Sequence, residues 1–146
     1  MEPRVDVITL AVEDLERALR FYREGLGFES RGVVGTQWMD EESGANGAIA
    51  VFKLESGLLL SLYPRIDLAK DAAIPAGPAR PGEFSLGQLV QSRAEVDELL
   101  EKAVAAGAAV TMPRDRPWGI YSGYFRDLDG HLWEVIWNPA LDLGPA

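Results

Sequence analysis

The chain has 146 residues, 47% of them apolar and 25% charged, a composition that suits one folded globular domain and excludes a disordered one. Its net charge of -9 excludes nucleic acid and anionic membrane surfaces as expected partners, because binding phosphate needs clustered Lys and Arg. It contains no cysteine and one histidine, His131, so disulfides, thiolate metal sites and any site needing two imidazoles from one chain are ruled out.

Taken in chain order, "VDVITLAV" at residues 5–12 reads as a strand covered on both faces. Val5, Val7, Thr9 and Ala11 lie on one side, with Ile8, Leu10 and Val12 on the other. In the next stretch Leu15, Ala18, Leu19, Tyr22 and Leu26 make one helical stripe. Asp14 is its expected N-cap, and Gly25 or Gly27 its expected stop. Residues 30–63 read as three strands: about 30–34 with an extension toward Met39, about 48–54, and about 58–63. A polar loop is expected at 40–47 and a tight turn at Glu55-Ser56-Gly57. The Pro-rich stretch 64–82 reads as a linker with one helical turn near 67–72.

The pattern then restarts. Residues 84–91 predict a strand. "SRAE" at 92–95 predicts a capping box opening a helix with Val96, Leu99, Leu100, Ala103 and Val104 on one stripe, stopped at Gly107. Short strands are expected near 109–112, 121–126 and 131–137. The order strand, helix, three strands thus occurs twice, and the two copies match in detail. Ser56-Gly57 followed by "LLLSLYP" corresponds to Asp129-Gly130 followed by "HLWEVIWNP", which sets Ser61 against Glu134. Two units of this kind read as one domain over 1–146: a first module at about 4–63, a linker at about 64–83 and a second module at about 84–139.

Glu134 is the residue that asks for an explanation. A carboxylate between tryptophans and aliphatics is a surface residue, a metal ligand, a proton-transfer group or a ligand anchor, since burying it unpaired costs several kcal/mol. Alternation puts it on one face with Leu132 and Ile136, opposite His131, Trp133, Val135 and Trp137. A structural reading gives it a hydroxyl partner such as Ser61 or Thr9. His131 is expected on the hairpin surface or at a dimer contact. Trp118, Tyr121 and Tyr124, in "RPWGIYSGYF", are candidates to stack on a flat or apolar ligand, with Trp38 and Arg65 as weaker ones.

"TLAVEDLERALRFYREGLGF" and "DLDGHLWEVIWNP", at this spacing and with the internal repeat, resemble the first strand and helix and the closing hairpin of the vicinal-oxygen-chelate superfamily. That superfamily includes glyoxalase I, extradiol dioxygenases and the fosfomycin- and bleomycin-resistance proteins. The resemblance covers about residues 5–139. It implies an α+β fold of two paired βαβββ modules whose curled mixed sheets surround a cavity, and a homodimer. In metal-dependent members four positions supply ligands, and the resemblance carries them onto Val7, Ser61, Ser85 (or about Gly87 if the helices are aligned instead) and Glu134. Only Glu134 keeps a ligand type, so no cofactor is expected, a divalent metal included.

The expectation is therefore a cytoplasmic, metal-free, small-molecule-binding homodimer. Its ligand, cationic or aromatic, would meet Val7, Thr9, Trp38, Ser61, Ser85, Trp118, Tyr121, Tyr124 and Glu134. The alternative is an enzyme of the same superfamily, a lyase, isomerase or dioxygenase-like protein, with Glu134 as its catalytic base or as one ligand of a divalent metal.

Overall fold

Strand pairing follows the sequence repeat. The structure is a computed structural model that describes residues 1–79 and 82–140. It divides into two units, Met1–Pro78 and Ala79–Ala146, each of α+β character. The first contains β1 (Val7–Val12), α1 (Leu15–Arg20), β2 (Ala50–Lys53), β3 (Leu59–Pro64) and α2 (Arg65–Ala72). Its sheet runs β1-β3-β2, with β1 parallel and β2 antiparallel to β3. The second contains β4 (Leu86–Val90), α3 (Arg93–Ala105), β5 (Ala109–Val110), β6 (Arg114–Asp115), β7 (Tyr121–Arg126) and β8 (Leu132–Trp137). Its sheet runs β4-β8-β7-β5, and β6 also pairs with β7. Among the described residues no helix is long and apolar enough to cross a membrane.

In unit one, the face of β1 carrying Leu10 and Val12 is buried, as are Ala50, Phe52, Leu60 and Leu62 beside it. Against them α1 brings Ala18 and Leu19, and the turn that continues it brings Tyr22. Removing each large apolar side chain of this kind from water contributes roughly 1.5–3 kcal/mol. The aromatic rings of Tyr22, Phe28 and Phe52 lie 5.8–5.9 Å apart in tilted and edge-on pairs. Asp14 caps α1 as expected, accepting from the Arg17 amide at 3.0 Å. The helix then widens into a π-type turn, Phe21–Gly25. The wider turn rotates the buried stripe, so Phe21 joins Tyr22 in the core although the regular spacing omits it.

In unit two, α3 is capped by Ser92, which accepts from the Glu95 amide at 3.1 Å, while Glu95 reaches back to the Gln91 amide at 2.7 Å. Val96, Leu100 and Ala103 are buried, together with Phe125, Trp133 and Val135 of the sheet. Phe125 and Trp133 stack nearly parallel across the β7–β8 hairpin, centroids 5.8 Å apart. Gly123 is required where β7 passes α3: a Cβ there would lie 2.6 Å from Leu100 Cδ1 and 3.2 Å from Pro113 Cα.

Four expectations are corrected. The strand at 30–39 is reduced to isolated bridges, Ser30 to Phe52, Val34 to Ile49 and Met39 to Asn46, because Gly32 and Gly35 adopt left-handed backbone that interrupts a strand. The linker holds a full helix, α2, in place of one turn. Asp67 of α2 is buried and accepts from the Asn46 amide at 3.0 Å, and Tyr63 donates to the Asn46 carbonyl at 2.7 Å. These bonds stabilise a helix whose sequence has little apolar stripe. α2 closes on Ala73 in left-handed conformation, φ 56° and ψ 46°. Val104 of α3 is exposed, as is the Val7 and Thr9 face of β1, so that strand is covered on one face only.

Candidate functional site

The repeat has a geometric expression. Ser61 of β3 pairs across the sheet with Thr9 of β1 and Val51 of β2. Glu134 of β8 pairs with Gly87 of β4 and Tyr124 of β7. Ser61 and Glu134 thus hold the same position in their own sheets. Val7 stands two residues before Thr9, the partner of Ser61, and Ser85 two residues before Gly87, so Gly87, rather than Ser85, is the residue directly opposite Glu134.

In unit one the face carrying Val7, Thr9 and Ser61 is polar at one point. Thr9 Oγ1 and Ser61 Oγ share a hydrogen bond of 2.7 Å, and Ser61 is 3% exposed. One hydroxyl donates to the other, and neither bears charge. Val7, 48% exposed, presents only methyl groups. Trp38 stands 68% exposed on the hairpin around the 40–45 turn. Arg65 rests against the Ala11 carbonyl and lies 3.9 Å from Glu13.

In unit two Glu134 is half-buried. Its Oε2 accepts a 2.9 Å hydrogen bond from Ser122 Oγ, and Ser122 is fully buried. Tyr124, on the same face, interacts with Glu134 from the neighbouring strand. Burial, then the Glu134 charge, then a hydrogen bond to Glu134 raise the Tyr124 hydroxyl above its ordinary pKa; Arg116 and Arg114 act in the opposite direction. Glu134 therefore takes Ser122 and Tyr124 as its hydroxyl partners, not Ser61 or Thr9, which bond one another. A carboxylate offers about four acceptor sites, so acceptor capacity remains for a ligand.

Tyr121 alternates to the other face. Its hydroxyl donates to Asp97 Oδ1 at 2.6 Å, and the Arg93 guanidinium lies 4.1 Å over its ring. It belongs to the α3 side of the sheet, away from Glu134. Trp118 is 88% exposed in the turn Pro117–Gly119, with φ 64°. Left-handed backbone at a bulky residue costs of order 1–3 kcal/mol. No burial of the indole offsets that cost. Ser85 is exposed just before β4. His131 is neither free nor at the surface edge of the hairpin: its Nδ1 lies 2.7 Å from Asp127 Oδ2, and its amide donates to Asp127 Oδ1 at 2.8 Å.

Ser122 is the partner of Glu134 that sequence reading missed. Counting outward from the turn at Asp127–Gly130 pairs Tyr124 with Glu134 and puts Ser122 on the same face, so hairpin register was the available signal.

The side chains at the four positions that the resemblance carries over do not supply the ligands of a divalent metal. Val7 has no donor atom, Ser61 is engaged with Thr9, Ser85 is a neutral hydroxyl, and Glu134 alone is charged. Zinc, iron and manganese sites draw on three or four nitrogen or oxygen ligands. Among the described residues no group of three or more His, Asp or Glu side chains could hold a metal ion.

A family model for the Glyoxalase/Bleomycin resistance protein/Dioxygenase superfamily matches residues 4–135. An uncharacterized protein of Pseudomonas aeruginosa is 32% identical over 152 residues, covering 99% of this chain and 95% of that one. A glyoxalase-related enzyme from Fulvimarina pelagi superposes with a TM-score of 0.79 at 31% identity, over 98% of this chain and 94% of that chain. Lactoylglutathione lyase from Agrobacterium tumefaciens gives 0.63 at 26% identity, over 93% and 94%.

Proposed function

The chain belongs to the glyoxalase/bleomycin resistance protein/dioxygenase superfamily, and on that premise we propose that it binds a small organic molecule, without a metal, on the Glu134 face of its second sheet. The observation that carries this reading is the bond from fully buried Ser122 to half-buried Glu134. A carboxylate fixed by a buried hydroxyl, with acceptor sites to spare, is suited to receive a donor group of a ligand. Trp118, strained and exposed in the turn just before β7, offers an aromatic surface free of other contacts for such a ligand to stack on.

Thermal-shift screening against small organic molecules and divalent metals tests the proposal. A ligand at about a hundred times its Kd adds ~2.7 kcal/mol by mass action, which for a chain of this size raises Tm by roughly 5–11 °C. Metal analysis of the purified protein is the decisive control. Near one equivalent per chain overturns the metal-free reading.

A second reading is supported by the 31% identity to a glyoxalase-related enzyme: Glu134 as a general base acting on the bound molecule. The two part on turnover. If any binding molecule is converted, and Glu134→Gln abolishes conversion while keeping affinity, the enzyme reading replaces the binding one.

A homodimer belongs to the proposal. β1 and β4 are edge strands with exposed apolar side chains, Val7 and Leu89, and such edges favour pairing with another chain. Sedimentation at tens of micromolar, an order-of-magnitude range for a stable interface, should give a dimer. A monomer there counts against it.

A further inference from the structure

Two arginines share the Glu134 face. β6 pairs Arg114 with Ser122, so the Arg114 side chain leaves the sheet on the side of Ser122, Tyr124 and Glu134. Arg116 returns to that side two residues later, and its guanidinium carbon lies 5.6 Å from the Tyr124 ring centroid. Asp115, between them, turns to the opposite face, where Arg93 holds it. Among the described residues no acidic side chain pairs with Arg114 or Arg116. The Arg116 amide donates to the Ile120 carbonyl at 2.7 Å, closing the turn that carries Trp118.

The Arg116 Nε is buried and has no hydrogen-bond partner. A buried donor left unsatisfied is a stability cost, larger on a charged group, and native structures remove it by supplying an acceptor. Arg114, Arg116 and Glu134 together carry +1, on a chain whose total is -9.

We propose that Arg116, with Arg114 beside it, forms an oxyanion subsite that receives a carboxylate or phosphate-type group of the molecule bound on the Glu134 face. The planar guanidinium matches such groups through paired N–H donors, and the Tyr124 ring beneath it helps fix its orientation. Glu134 repels a bare anion. The ligand class that satisfies both ends carries an oxyanion at Arg116 and a hydroxyl or amine donor toward Glu134: small hydroxy or amino acids and their phosphate or phosphonate counterparts. Local charge here opposes the cationic ligand that the chain's overall acidity suggests. The second contact rests on the proposed function; the first does not.

The test is NMR titration of the full chain at constant ionic strength, with inorganic phosphate, glycolate and ethylene glycol as probes. Concentrations are on the order of tens of millimolar, the affinity range left by one or two charged hydrogen bonds. Phosphate and glycolate should move the Arg116 Nε–H resonance, and ethylene glycol should not. Arg116→Gln should weaken both anions at least about tenfold, the factor for one charge-assisted hydrogen bond. Glu134→Gln should leave phosphate binding equal or tighter while glycolate binding weakens. An unmoved Nε–H signal, or equal anion affinity in Arg116→Gln and the natural chain, overturns the subsite. Should Arg116→Gln fail to fold, Arg114→Gln and the Nε–H resonance decide it, because Arg114 is exposed and its loss should weaken both phosphate and glycolate while leaving the fold intact; unchanged binding of both anions in Arg114→Gln, with an unmoved Nε–H signal, overturns the subsite. Glycolate binding that survives Glu134→Gln but not Arg116→Gln keeps the subsite and removes Glu134 as anchor. The reverse result keeps the anchor and removes the subsite.

Discussion

Ser122 Oγ and Glu134 Oε2 meet across the β7–β8 hairpin at 2.9 Å, one residue fully buried and the other half-buried. Glu134→Gln can keep this bond, because a serine hydroxyl rotates to donate or accept. Chemical denaturation should therefore show stability within about 1 kcal/mol of the natural chain, while affinity for a donor-bearing ligand falls by ~1.5–3 kcal/mol. Ser122→Ala should behave differently, lowering stability by about 1–2 kcal/mol because the carboxylate loses a buried donor. A large stability loss in Glu134→Gln with unchanged affinity would make this glutamate a purely structural acceptor.

Tyrosine ionisation offers a pH test. Tyr63 and Tyr124 are raised from 10.0 chiefly by burial, and Tyr121 chiefly by its hydrogen bond to Asp97. A group whose folded pKa is raised contributes stability below its unfolded pKa and loses it as pH climbs through the folded one. Stability should thus hold up to about pH 10 and decline above it. In an absorbance titration Tyr124→Phe should remove one of the late transitions. Glu134→Gln should move the Tyr124 transition downward, since the Glu134 charge is one of its causes. No movement would mean that the two side chains do not interact.

Asp127 organises the turn before β8. Its carboxylate accepts from the amides of Asp129 and His131 and meets the His131 ring. Asp127→Ala should cost about 2–4 kcal/mol, the range for breaking a buried polar network. Asp127→Asn, which keeps an acceptor oxygen for the two amides, should cost distinctly less. Equal losses in the two variants, read by urea denaturation, would count against this assignment.

The sequence made the second unit more legible than the first, for physical reasons. β7 and β8 alternate cleanly and are bounded by the Asp127–Gly130 turn, so pattern and punctuation agree. Residues 30–39 carry a strand-like composition, but Gly32 and Gly35 remove the backbone regularity that a strand needs. α2 escaped because its stability comes from Asp67 binding a distant loop amide, a long-range bond that leaves no periodic trace. In the candidate site, Glu134 stood out as a charge among aliphatics. Ser122 did not, since a small polar residue in a strand looks like any solvent-facing position until cross-strand register is known. Arg116 was hidden for a similar reason: its place over Tyr124 depends on a two-residue strand, β6, too short to announce itself.

The left-handed Ala73 at the end of α2 bears on how far selection has tuned this chain. Glycine adopts that conformation freely, whereas an L-residue with a Cβ is penalised there by roughly 1–2 kcal/mol. Ala73→Gly should therefore raise Tm by a few degrees in a scanning calorimeter, after the extra unfolded-state freedom of glycine is set against the relief of strain. Natural proteins accumulate such unimproved positions because selection removes only what falls below the stability that function requires. Ala73 marks room above that threshold, and thus a place to introduce stability before altering residues on the Glu134 face.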